Sequence, residues 1–257
     1  MSQHVEIHLP LARARRFAWP LPDLWASGSL ADDDLRAYCR FRRGFMDLKP
    51  HVDSEADHAS FAAWVRASDF VWLPRDREGR MLASMAAKIE QRTHEGREYV
   101  LVWPEYGYVL PEARGAVGIG AALAVAMGLG ALRWPGRPVY AVATGYVSSW
   151  MTVSLALGRA WVRDGPGMSP WERRVWQGIA AETRGYDPVT RLVEMGTVPR
   201  DPRTHPPRDP RTLARYREYV GHNPRWADGY TCLLFGQLRA QDVPRVARWL
   251  LRRAVGR

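Results

Sequence analysis

Two rhythms of apolar and polar residues run along this chain, one helical and one alternating. Across residues 30–46 the apolar positions Leu35, Tyr38, Cys39, Phe45 and Met46 recur at helical spacing. Asp32, Asp33 and Asp34 occupy the first turn, where the helix dipole favours acids, so the segment predicts an amphipathic helix. Ser54 with Asp57 has the form of a capping box, and Phe61, Trp64 and Val65 follow on one face, which predicts a second short helix. Residues 70–73 then read as a strand, 75–79 as a turn, 81–89 as a strand and 92–96 as another turn. Residues 99–110 complete an antiparallel meander, and Pro104 and Gly107 predict a bulge or bend inside it.

After Pro111 comes a glycine-rich turn and an apolar helix over 119–132, stopped by Trp134, Pro135 and Gly136. Residues 139–144 form the next strand and 148–157 a further helix. Past Gly165 the pattern weakens, although 169–181 reads as helical with Pro170 in its first turn. Two copies of Arg-Asp-Pro-Arg-Thr, at 200–204 and 208–212, frame a proline-rich stretch expected to be an extended connector. A helical turn at Tyr216 and Tyr219, an Asn223-Pro224 break, a strand over 231–235 and a basic helix from Val243 onward complete the chain. This divides it into an N-terminal arm (1–29), a central domain (30–165) and an irregular, basic C-terminal extension (166–257) packed on or tethered to the core.

Composition adds one strong constraint. At 257 residues, 46% hydrophobic and 25% charged, the chain can bury a sizeable core. Its 37 Lys and Arg against 27 Asp and Glu leave a net charge of +10, which predicts either an anionic partner or simply a solvated basic surface. Cys39 and Cys232 are the two cysteines and form no metal or disulfide pattern, which fits a reducing compartment. The first ten residues lack the apolar run of a secretory signal, so a cytoplasmic location is expected. Residues 115–132 carry no charge but are mostly Gly, Ala and Val, which argues for a buried helix rather than a membrane span.

The most informative residues are Val109, Leu110, Pro111, Glu112, Ala113, Arg114, Gly115, Ala116, Val117, Gly118, Ile119 and Gly120. A strand entering a glycine-rich turn and then a helix directs unpaired N–H groups and the positive end of the helix dipole at one point, which suits phosphate. Gly-Lys-Ser/Thr is absent, which argues against a P-loop. Leu123 replaces the third glycine of a dinucleotide fingerprint, and 138–143 supplies no acid for the ribose. This stretch resembles the acetyl-CoA motif of the GNAT (GCN5-related N-acetyltransferase) superfamily, Arg-Gly-x-Gly-x-Gly/Ala, with one residue more because Ala116 and Val117 stand where the family has a single residue. The element order over roughly 30–160 is similar too.

The resemblance implies a mixed α/β fold with a mostly antiparallel sheet flanked by helices. It also implies direct transfer of an acyl group from acyl-CoA or acetyl-CoA to an amine, with no metal. Val109, Leu110, Arg114, Gly115, Ala116, Val117, Gly118, Ile119 and Gly120 would then hold the cofactor, and the splayed end of the strand would offer N–H groups to the thioester or pantetheine. Glu105 is the candidate base and Tyr146 the candidate acid for the departing thiolate. Taken alone, Glu105 also reads as a surface carboxylate and Tyr146 as a packed aromatic. An acidic acyl carrier protein is an alternative donor that suits the basic charge. The rival reading is a catalytically inactive GNAT-like module that binds an acyl ligand, an acidic protein or an anionic surface. His51, Asp53, Glu55, Asp57 and His58 lack metal-ligand spacing and read as a solvated helix start. The tryptophans fit core positions better than base stacking, and no nucleic-acid module is present.

Overall fold

The computed structural model describes residues 24–26, 30–113, 119–200 and 209–239. In chain order these form β1 (Leu24–Ala26), α1 (Asp32–Arg43), β2 (Met46–Leu48), α2 (Ser54–Arg66), β3 (Phe70–Trp72), β4 (Ala83–His94), β5 (Arg97–Val109), α3 (Ile119–Arg133), β6 (Val139–Gly145), α4 (Val147–Ala156), β7 (Arg159–Trp161), α5 (Pro170–Glu182), β8 (Tyr186–Asp187), β9 (Leu192–Glu194), β10 (Thr197–Pro199), α6 (Pro210–His222) and β11 (Tyr230–Leu238). The expected meander is β3, β4 and β5. Its second turn is tighter than the sequence suggests, because Glu95 (φ 50°) and Gly96 (φ 72°) make a two-residue hairpin loop with both residues left-handed.

Local chemistry explains most boundaries and corrects two. The N-cap of α2 is Asp53, whose carboxylate accepts the Ala56 N–H at 2.7 Å, whereas the expected capping partners Ser54 and Asp57 lie inside the helix. Asp is the better cap because its charged oxygen also meets the helix dipole. The second Arg-Asp-Pro-Arg-Thr copy starts a helix: Asp209 caps α6 and Pro210 is its first residue. At α5 the expected Pro170 start is joined by a full capping box between Ser169 and Glu172.

Among the described residues the main sheet runs β1-β3-β4-β5-β6-β11-β9-β8, with β7 also on β11, and every pairing is antiparallel except β5 with β6. This is the mixed, mostly antiparallel sheet flanked by helices that the sequence led us to expect. One face, through Val100, Val102, Ile89 and Ala141, buries Leu123, Ala126 and Met127 of α3. The other face carries two separate apolar clusters. Ala86 and Val71 pack with Leu35 and Tyr38 of α1 and Phe61 and Val65 of α2, whereas Leu101 and Tyr140 pack with Val175, Trp176 and Ile179 of α5.

The sheet crosses the division drawn at 165. β11 pairs along the whole of β6, from Cys232↔Gly145 to Leu238↔Val139, and continues onto β7 and β9. Phe235 is fully buried and stacks on Tyr140 with ring centroids 4.9 Å apart. A strand with nine residues in the centre of a sheet contributes core area and ladder hydrogen bonds, so 230–238 belongs to the central unit. The segment between β7 and β11 is a large excursion that carries α5 and α6 and sends β10 back to pair with β2. The expected terminal helix after Val243 and, apart from residues 24–26, the arm 1–29 lie outside the described residues.

Close packing at the β6–β11–α4 junction is testable. A Cβ added at Gly145 would lie 2.5 Å from Leu234 Cδ1 and 2.8 Å from Ser149 Cβ. Gly145→Ala therefore overpacks the core and is expected to cost about 1–3 kcal/mol in urea unfolding, with the m-value unchanged.

Candidate functional site

The long hairpin strand β5 is bulged where Pro104 and Gly107 suggested. Ser84 pairs with Tyr108 and Ala86 with Glu105, so Tyr106 and Gly107 together oppose Met85 alone. Tyr106 adopts φ 53°, a left-handed conformation that is unfavourable for a side chain of this size. Its surroundings hold it there. The Tyr106 carbonyl accepts hydrogen bonds from Tyr38 Oη and Ser84 Oγ, both at 3.0 Å. Its ring lies edge-on to Phe61 and Trp64, with centroids 4.8 and 5.4 Å away, and the Arg42 guanidinium sits 5.3 Å above it. At Gly107 a Cβ would come 2.8 Å from Ile119 Cδ1, so the glycine lets the first residue of α3 approach the bulge.

Just before the bulge the parallel pairing ends. β5 and β6 pair at Val100↔Val139, Leu101↔Tyr140 and Val102↔Ala141, and then run on to Val109 and Gly145 without further partners in each other. Glu105 spans the opening: its carboxylate accepts from Thr144 Oγ1 at 3.3 Å. Burial raises its pKa to about 7, while the Thr144 hydrogen bonds, Arg42 and Lys88 oppose that rise. A carboxyl poised near neutrality can take up a proton and release it again, which a surface carboxylate cannot do efficiently.

Beside Glu105 lies a buried polar knot with no signature in the sequence. Arg42, 6% exposed, makes a bidentate pair with Asp57 at 2.7 and 2.8 Å and acts electrostatically on Tyr108, whose pKa burial pushes up to about 12. Burial works against the Arg42 charge, but Asp57 more than offsets it and holds the guanidinium ionised. The acid that joins this pair is one of the five residues expected to form only a solvated helix start. Another of them, His58, places Nδ1 3.0 Å from Cys39 Sγ. Among the described residues no group of His, Cys, Asp and Glu could hold a metal ion.

The other sequence candidates separate. Tyr146 follows β6 as the N-cap residue of α4 and donates its hydroxyl to the Thr197 carbonyl of β10 at 3.2 Å. Burial raises its pKa, with the Thr197 hydrogen bond opposing, so the hydroxyl keeps its proton at neutral pH. Val109 ends β5, Leu110 donates its N–H to Leu82 O, and Ile119 and Gly120 open α3. Arg114, Gly115, Ala116, Val117 and Gly118 lie outside the described residues. Two clefts hold neither Glu105 nor Tyr146: one of about 730 Å³ beside Cys39 and His58, and one of about 440 Å³ beside Arg159 and Glu172. No described helix is long and apolar enough to cross a membrane.

A raised carboxyl pKa has a defined effect on stability. Between its ordinary value of 4.5 and about 7, the folded protein keeps a proton that the unfolded chain has already released. Stability should therefore fall as pH rises through that window, by up to about 3 kcal/mol, and level off above it. Glu105→Gln is expected to remove this component and to melt higher than the parent at pH 8 but not at pH 4.5, as read by calorimetry.

No family model and no curated protein matches the chain. Among solved structures it is similar to an acetyltransferase of Trypanosoma brucei at 20% identity and a TM-score of 0.38, over 55% of this chain and 96% of that one. It is also similar to an acyl-CoA N-acyltransferase from Pseudomonas aeruginosa at 18% identity and a TM-score of 0.30, over 49% of this chain and 79% of that one. Both likenesses are below 25% identity and partial in their cover of this chain.

Proposed function

We propose that this protein is a divergent member of the GNAT superfamily that transfers an acyl group from acyl-CoA to an amine. The observation that carries the reading is the opening between the parallel strands β5 and β6, with a bulge at Tyr106 and Gly107 on one side and Glu105 set across it. Past Val102 the β5 backbone has groups on its β6 side that need partners, which suits an amide-rich pantetheine arm laid along the opening. The first residue of α3 touches the bulge, so a ligand in the opening would run toward the α3 N-terminus, where phosphate is favoured. Residues 114–118 would complete that cradle.

In this reading Glu105 takes the proton of the acceptor ammonium, directly or through water, as the amine attacks the thioester carbonyl. N–H groups near the bulge would meet the developing oxyanion. Tyr146 is the proton donor for the departing CoA thiolate once its hydroxyl leaves the Thr197 carbonyl. That engagement of Tyr146 is also what favours the rival reading, a module that binds an acyl ligand without turnover. An acyl carrier protein in place of CoA would use the same opening.

Thermal stabilisation by CoA, acetyl-CoA and a long-chain acyl-CoA tests the donor. A ligand at a hundred times its Kd adds about 2.7 kcal/mol. The expected result is a clear rise in Tm with at least one acyl-CoA, lost in Arg114→Glu. No shift with any of the three would overturn CoA as the donor.

A further inference from the structure

On the sheet face that carries Glu105, the α1–α2 cluster and the α5 cluster leave a strip between them. Ala86 pairs with Glu105 and Lys88 with Trp103, and side chains two apart along a strand share a face, so Glu105, Trp103 and Lys88 all look into this strip. Trp64 of α2 borders it on one side and Trp103, packed on the α5 cluster, on the other. The Lys88 ammonium lies 5.1 Å from the Trp64 ring centroid and has no carboxylate at ion-pair distance among the described residues.

Most of the neighbouring cations are paired. Arg42 is ion-paired with Asp57, and Arg92 bridges Glu90 and Glu182. Lys88 is half-buried, and among the described residues its charge meets an aromatic face and the field of Glu105. Lys88 and Glu105 are diagonal neighbours across the antiparallel pair, yet they form no ion pair with each other. Two opposite charges on one floor that are not joined in an ion pair complement a ligand with an ammonium at one end and an anion at the other.

We propose that Lys88 is the specificity-determining residue for the acceptor, and that the acceptor is an amine that also carries a carboxylate or phosphate. Its ammonium lies on Glu105, its anion on Lys88, and an aromatic or apolar portion lies between Trp64 and Trp103. The proposal rests on the acyl-transfer reading of Glu105.

Matched amines test it: phenylalanine against phenethylamine, which differ by the carboxylate, and phosphoethanolamine against ethanolamine, which differ by the phosphate. With acyl-CoA as donor, the parent is expected to prefer the anionic member of at least one pair, and the pair preferred distinguishes carboxylate from phosphate. In Lys88→Met that preference in kcat/KM should fall tenfold or more, through KM rather than kcat, and Lys88→Arg should restore most of it. Equal loss on both members of a pair, or no loss, would overturn the assignment. Should none of the amines be turned over, the acyl-transfer reading fails. Calorimetric binding of phenylalanine and phosphoethanolamine to the parent and to Lys88→Met then decides on Lys88 separately, binding lost in the variant supporting it and binding that is absent or unchanged overturning it.

Discussion

The left-handed Tyr106 is the constraint on which the site depends. A bulge at this point interrupts the pairing with β4, which resumes in a shifted register at Tyr108, and lets α3 approach through Gly107. Such a conformation costs on the order of 1–3 kcal/mol and persists only where surrounding contacts over-determine it. Here two hydroxyls, from α1 and from β4, converge on one carbonyl, while two aromatic rings and a guanidinium fix the side chain. Backbone strain is thus held by a helix pair whose own core is a separate apolar cluster.

That arrangement also sets the electrostatics. Arg42 is buried to support the bulge and would be costly without Asp57, so the two form a closed pair that exerts only a muted pull on Glu105. Desolvation then outweighs the nearby positive charge, and Glu105 rests near neutrality rather than near its ordinary value. Lys88 is a cation on this face with no carboxylate at ion-pair distance among the described residues.

The excursion between β7 and β11 serves the same centre from the far side. It returns β10 to pair with β2, which brings the Thr197 carbonyl to the Tyr146 hydroxyl. Tyr219 of α6 donates to Gly145 O at 2.6 Å, at the end of β6. The end of β6 and the start of α4 are thereby tied to elements fifty and more residues away.

What the sequence by itself determined is the local layer. Helical and alternating periodicity located α1 to α4 and β3 to β6, and Pro104 with Gly107 marked the bulge, because these depend on neighbours a few residues apart. Glu105 and Tyr146 were legible as candidates from their places beside the bulged strand and after β6. The Arg42–Asp57 pair, the Thr144 bridge to Glu105 and the place of Lys88 opposite Trp103 were decided only by the tertiary structure. Each depends on a strand register or a helix approach that brings distant residues together and leaves no spacing pattern behind. The same reason explains β11: an apolar strand after a weakly patterned stretch has no local mark of its partner, and only burial of Phe235 against Tyr140 placed it inside the sheet.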